Sequence, residues 1–323
     1  MNEASRPPAD GPVAAAFFFD GSRLTDHLLR RWRAAGHRVA GIVMPRHRGP
    51  YHWRRRIAAA KLAGTPATTV STPIDWTFVS DWVGPLEAEV LISSAFPKLV
   101  PAELLSLFPK GGVNLHPALL PHYRGPQPFR CMVADGAWRT FGGMTLHVMS
   151  DRYDEGDILA TSAFTPDDWR SPKALRSAAM QTMADVVVEA VPLYCRGVIR
   201  PRPQPPGEFP YADRAPRAFL VRPEWTVDDL AAAGTVSARR AAVFVEAGDR
   251  SVRIGLWLKT LGPPTGQPPV VRPFWAEFDC SDARVRVART DRWSRMADQV
   301  RRRLFPEPLG RESRPVRYET FAG

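Results

Sequence analysis

Cysteine is scarce in this chain. Cys131, Cys195 and Cys280 are the three in 323 residues, they lie far apart, and no C-x-x-C spacing joins them. That excludes a disulfide framework and a cysteine-built zinc centre, and it predicts a reducing compartment, the cytoplasm, with no metal site. Long apolar runs are also missing, so no membrane span is expected. The run VAAAFFF at 13–19 closes on Asp20 with no cleavage-site pattern and reads as a strand instead of a signal peptide. No G-x-G-x-x-G or Walker A loop follows any apolar run, so nothing supports a nucleotide cofactor. Acidic residues fall short of basic ones: 33 against 44, a net charge of +11. The excess is spread over both halves and favours a polyanionic partner, nucleic acid or a phosphorylated ligand, although an arginine-rich composition gives the same balance.

What is present alternates. VAAAFFF leads through DGS to the amphipathic RLTDHLLRRWRAAG (23–36), then to RVAGIVM (38–44), the helical RRRIAAAKLAG (54–64), TTV (68–70), DWTFVSDWVGPL (75–86), AEVLISSAF (88–96), PAELLSLF (101–108) and GGVNLH (111–116). This β-α-β rhythm predicts a mostly parallel sheet covered on both faces. GGMTLHVMS (142–150) and ILATSAFTP (158–166) read as further strands, and 171–197 as a long helix with Ser171 as N-cap and Pro172 in its first turn.

Six prolines in 200–216 predict an extended, semi-rigid linker. That divides the chain into a domain at 1–199, the linker at 200–216, a β-rich domain at 217–310 and a tail at 311–323. The short alternating runs RAAVFVEAG, SVRIGLWLKTL, PFWAEFDC and ARVRVART predict a small antiparallel barrel or sheet. A basic amphipathic helix is expected at 291–305.

The segment GGVNLHPALLPHYRGPQP (111–128) carries the chemistry. On a strand, residues i and i+2 share a face, so Asn114 and His116 project side by side while Val113 and Leu115 turn into packing. Pro117 ends the ladder, and the prolines beyond hold a stiff loop. An amide and an imidazole at a strand end in an open α/β sheet stand where ligands bind. Alone, the tripeptide more often marks a capped turn with a surface histidine. A third group comes from the acidic turn MSDRYDEGDIL (149–159), with Asp151, Asp154, Glu155 and Asp157 around Gly156. His147 borders this region or packs elsewhere.

Three ordered motifs give a resemblance. VNLHPALLPHYRGPQP is similar to the Asn-x-His-Pro-Ser-Leu-Leu-Pro segment of the 10-formyltetrahydrofolate-dependent formyltransferases, YDEGDIL resembles their Asp-containing loop, and SAFPKLVP (94–101) resembles the loop that cradles their pteridine. The resemblance covers about the first 200 residues well and implies a Rossmann-like formyltransferase fold followed by a β-rich, OB-like barrel. It implies catalytic roles for Asn114, His116 and Asp154. It also implies folate contacts from Phe96, Pro97, Lys98, Leu99, Val100, Asp151 and Tyr153, with 10-formyltetrahydrofolate as formyl donor. Ala118 stands where the family has Ser, and Pro97 where it often has Gly.

Length and architecture resemble those of the methionyl-tRNA formyltransferases, and PEWTVDDLA (223–231) resembles the start of their second domain. The implied acceptor is the amine of methionyl-tRNA, with Arg124 and Gly125 beside it. The loop PRHRGPYHWRRR (45–56) would then offer Arg46 and Arg48 to phosphates, and Tyr51 or Trp53 to a base; a solvated charged loop is the other reading. The C-terminal domain is a second expected tRNA contact. A small amine, such as a nucleotide-linked amino sugar, is the alternative acceptor. Water, giving a formyltetrahydrofolate hydrolase, is a third and weaker one.

Overall fold

The computed structural model describes residues 11–22, 24–46, 51–237 and 242–290. Arg48, the expected helix at 291–305 and the tail lie outside them, as do the side chains of Tyr51 and Trp53.

The first seven strands are β1 (Ala14–Phe19), β2 (Arg38–Pro45), β3 (Ala67–Val70), β4 (Val90–Ser94), β5 (Gly112–His116), β6 (Gly143–Val148) and β7 (Ile158–Ala163). They form one sheet in the order β3-β2-β1-β4-β5-β6-β7. The first five run parallel, and β6 and β7 are antiparallel additions. The parallel part matches the expected rhythm. The last two strands need no crossover helix between them, which is why a short acidic turn can join them.

Helices cover both faces: α1 (Leu24–Ala34), α2 (Tyr51–Ala63), α3 (Trp76–Val83), α4 (Ala102–Leu105), α5 (Pro128–Ala134), α6 (Trp138–Phe141) and α7 (Pro172–Cys195). Period-2 alternation sorts the phenylalanines of β1. Phe17 and Phe19 enter the core beneath α1 and α7 with Trp32 and Val187, whereas Phe18 enters the opposite core with Val79, Val83 and Leu104. A strand buried on both faces must be apolar throughout, and β1 is. Helix α7 starts as expected, with the Ser171 hydroxyl accepting from Ala174 N–H at 3.1 Å. Among the described residues no helix is long and apolar enough to cross a membrane.

Arg55, inside the basic loop-and-helix segment, turns inward. It is 9% exposed and pairs bidentately with Asp26 at 2.7 and 3.2 Å while donating to the carbonyls of Gly21 and Ser22. Its charge fastens α2 to the turn after β1.

The C-terminal half contains β8 (Ala218–Leu220), α8 (Val227–Ser237), β9 (Ala242–Ala247), β10 (Arg250–Gly262), β11 (Val270–Val271), β12 (Trp275–Asp279) and β13 (Arg284–Arg289). The alternating runs form strands, and of the barrel or sheet expected from them it is a sheet that the described residues show. Among the described residues they make a six-stranded sheet, β11-β12-β13-β10-β9-β8, with β11 and β8 at its ends. Its apolar face packs against the first half. Val243, Val245, Phe278, Val285 and Val287 share a core with Trp138, Trp169 and Leu175 of the first half. Asp229 of α8 accepts from Trp138 Nε1 at 2.9 Å and from Arg139 at 2.6 Å.

Residues 200–216 are extended, as their prolines dictate, and are closely bound. Arg202 exchanges backbone hydrogen bonds with Ile158, Tyr123 N–H donates to Pro210 O, and Ala212 N–H donates to Arg124 O. The strap therefore runs along the loops that follow β5 and β6.

Candidate active site

Strand order reverses between β1 and β4, so the loops at the carboxyl ends of β1, β4 and β5 open a crevice there. β5 brings Asn114 and His116 to that rim. Its other face buries Val113 and Leu115 with Leu146 in the core, as the i, i+2 rule requires. Register with β6 adds a fourth group, since Asn114 lies directly opposite His147 and His116 opposite Thr145. Cross-strand partners on one face touch, and Asn114 Nδ2 stands 3.1 Å from His147 Nε2. His147 thus belongs to the cluster, resolving the two readings its sequence position allowed.

Asp154 comes from the turn between β6 and β7. Its Oδ1 accepts from Asn114 Nδ2 at 3.3 Å and lies 3.5 Å from His147 Nε2. Its Oδ2 accepts from Gly125 N–H at 2.9 Å and lies 3.4 Å from His116 Nδ1. Asp154 has φ of 58°, so the turn holds a non-glycine residue in the left-handed region to aim this carboxylate.

The partners assign the protons. His116 Nε2 faces Tyr123 O at 2.7 Å and must donate to it, leaving Nδ1 toward Asp154. His147 Nδ1 donates to Val148 O at 2.9 Å, so its Nε2 accepts from Asn114 when the ring is neutral. Burial of His116 pushes its pKa down, against the pull of Asp154 and the Tyr123 carbonyl. Burial would push Asp154 up, but the His147 imidazole, His116 and the Gly125 N–H outweigh it and hold the carboxyl at about 2. A neutral imidazole with its Nδ1 lone pair beside an ionised carboxylate can take up a proton and hold it between the two.

The loop expected to meet a pterin has mixed exposure. Pro97 and Lys98 are exposed, Phe96 is half-buried edge-on against Phe18, and Val100 is in the core. Ala95, at φ 54°, turns the chain outward. Leu99 N–H donates to Tyr153 Oη at 3.0 Å, which joins this loop to the Asp154 turn. Asp151 is exposed on that turn.

Arg124 and Gly125 are close by, but neither is free. Arg124 Nε and Nη2 donate to Gln204 Oε1, and Gly125 is covered by Tyr211. Arg46 is exposed at the end of β2, on the same rim but three strands from β5, roughly 14 Å at the usual strand spacing. It does not join the cluster. Ala118 is fully buried in apolar packing, which explains an alanine there. Sequence reasoning missed Gln204, a lone amide among prolines whose neighbours lie 48 to 80 residues away.

A cavity of about 430 Å³ lined by Lys110, Gly112 and Met149 lies at the other end of β5 and contains none of these groups.

An open α/β sheet with an amide, two imidazoles and a carboxylate converging at its switch-point rim defines an enzyme-like class of site. The formyl transferase family model matches residues 19–191, more than half of the sequence, and the chain belongs to that family. Two methionyl-tRNA formyltransferases are similar in sequence. That of Chloroflexus aurantiacus is 33% identical over 184 residues, covering 55% of this chain and 58% of the relative. That of Heliobacterium modesticaldum is 35% identical over 193 residues, covering 57% and 59%. The matched region thus spans less than two thirds of those relatives. Among solved structures, WlaRD, a sugar 3N-formyl transferase, superposes with a TM-score of 0.61 at 11% identity, covering 87% of this chain and all of that one. HypX from Aquifex aeolicus superposes at 0.55 and 15% identity, covering 85% of this chain and 45% of that one. These two likenesses establish the formyltransferase fold.

Proposed function

We propose that the protein transfers a formyl group from 10-formyltetrahydrofolate to a primary amine. The observation that carries the reading is the meeting of Asn114 and His116 at the Asp154 carboxylate, 3.3 and 3.4 Å from its two oxygens, at the rim where ligands bind. The 96–100 loop fits a pterin, since an outward-turned backbone with exposed Pro97 and Lys98 offers peptide groups to a flat polar heterocycle.

When bound, 10-formyltetrahydrofolate supplies the formyl carbon: the amine forms a C–N bond to it, negative charge develops on its oxygen, its bond to the folate nitrogen breaks, and one amine proton must leave. Asn114 has the donor for that oxygen. Both its amide protons are now held, and the longer bond, 3.3 Å to Asp154, is the one a substrate oxygen replaces. His116 Nδ1, backed by Asp154, takes up the amine proton and returns it to the departing folate nitrogen, while the Tyr123 carbonyl fixes the ring's other side. His147 keeps Asn114 facing the carboxylate.

Tyr153→Phe tests the folate assignment. Losing the bond to Leu99 N–H is expected to raise the KM for 10-formyltetrahydrofolate about threefold to tenfold, with kcat little changed, in a tetrahydrofolate-release assay.

For the acceptor, the sequence likeness to methionyl-tRNA formyltransferases supports methionyl-tRNA, with the exposed Arg46 as one phosphate contact. A second reading, a small amine such as a sugar nucleotide, is supported by Arg55, a cation of the basic segment that is committed to Asp26. The test is tetrahydrofolate release with charged initiator methionyl-tRNA, with amino sugars and with no acceptor. Formylated tRNA is the expected product. Turnover with amino sugars alone transfers the assignment to the second reading, and acceptor-free release makes water the nucleophile.

A further inference from the structure

Gln204 is a half-buried amide with all four of its hydrogen-bonding positions occupied. Its Nε2 donates to Asp154 O at 2.9 Å and to Gly156 O at 2.7 Å. Its Oε1 accepts from Arg124 Nε at 3.1 Å and Nη2 at 2.7 Å. Carbonyls on one side and a guanidinium on the other allow a single orientation of this amide. Arg124 Nη1 lies 3.8 Å from Glu155 Oε1, so the guanidinium also reaches the turn directly.

The two loops joined in this way are the two that hold the carboxylate. One contains Asp154 itself, in a left-handed conformation that an L-residue adopts at a cost. The other contains Gly125, whose N–H holds Asp154 Oδ2. The strap also presses Tyr211 onto Gly125 so closely that a β-carbon there would stand 2.9 Å from the ring. Bonds that join these two loops therefore pass through a segment beyond the family-matched residues 19–191.

We propose that Gln204 is a positioning residue: its amide sets the separation of the Asp154 turn and the Arg124–Gly125 loop, and so keeps the Asp154 carboxylate aimed at His116. The inference rests on the formyl-transfer reading for its effect on rate, but not for its effect on geometry.

Two variants separate its parts. Gln204→Met keeps bulk and removes every hydrogen bond. Gln204→Glu keeps an acceptor for Arg124 but faces two carbonyls with a carboxylate. Both are expected to lower kcat about tenfold, with the KM for 10-formyltetrahydrofolate changed less than about threefold, because a displaced catalytic group costs rate more than binding. The Gly125 amide proton is expected to exchange about tenfold faster in both, while the amides of Ile92 and Val113 in the central strands keep their protection. Wild-type kcat and Gly125 protection in Gln204→Met would overturn the proposal. Wild-type behaviour in Gln204→Glu would do so too, by reducing the residue to an anchor for Arg124. Equal loss of protection at Gly125, Ile92 and Val113 would make the role one of general stability and also overturn it. A wild-type protein that releases no tetrahydrofolate with any acceptor refutes the formyl-transfer reading instead, and the Gly125 exchange still decides the fate of Gln204.

Discussion

Asp154→Asn is expected to lower kcat about 10²–10³-fold with the protein still folded. The substitution keeps the shape and an oxygen for the Gly125 N–H, so the turn retains its anchor. What disappears is the negative charge beside His116 Nδ1, and with it the ability to stabilise the imidazole once it has taken a proton. Tetrahydrofolate release under saturating donor and acceptor measures the loss; unchanged turnover would remove Asp154 from the mechanism.

The same variant has a signature in acid. The folded pKa of Asp154, about 2, lies below the ordinary 3.8. A depressed carboxylate stabilises the folded chain above the unfolded pKa, here by roughly 2 kcal/mol, and that contribution fades as pH falls from about 4 through about 2. The stability gap between wild type and Asp154→Asn, read by denaturant titration, should therefore close over that interval. His116 acts at higher pH. Its pKa lies below 6.5, so the unfolded chain binds its proton first, and stability declines as pH drops below about 6.5 toward the lower folded value.

Gly156→Ala is expected to be the most damaging small substitution near the site. Gly156 is buried, and an added β-carbon would overlap the Val148 carbonyl oxygen, which is backbone and cannot swing aside. That carbonyl is the acceptor for His147 Nδ1, and the neighbouring Val148 N–H donates to Asp157 O. Room for a methyl group requires the start of β7 to separate from the end of β6, carrying Asp154 with it. A cost of about 3 kcal/mol follows from overpacking against a fixed group, or a fall in Tm of roughly 4 °C in a chain of this size. Activity of the folded fraction should fall at least about tenfold through the displaced carboxylate. Calorimetry with the release assay checks both, and a variant with wild-type Tm and kcat would mean the turn absorbs the methyl freely.

Much of this protein is decided locally. Alternation placed Phe17 and Phe18 on opposite faces of β1, Ser171 started α7, and the spacing of two put Asn114 and His116 on one face of β5. These follow from the geometry of two or three consecutive residues, which the chain carries wherever it goes. The order of motifs also carried the family. Other features depend on which segment returns to which. His147 joins Asn114 because β6 pairs with β5 in one particular register. Among the described residues the C-terminal strands form a sheet whose apolar residues share a core with a second surface, around Trp138 and Trp169. Arg124 is expected beside the acceptor and Arg55 lies in the basic segment, yet each is committed to a partner, 80 and 29 residues away. Gln204 has no local pattern at all. Its role comes from a proline-stiffened strap laid across two loops, and composition predicts the stiffness but not the destination.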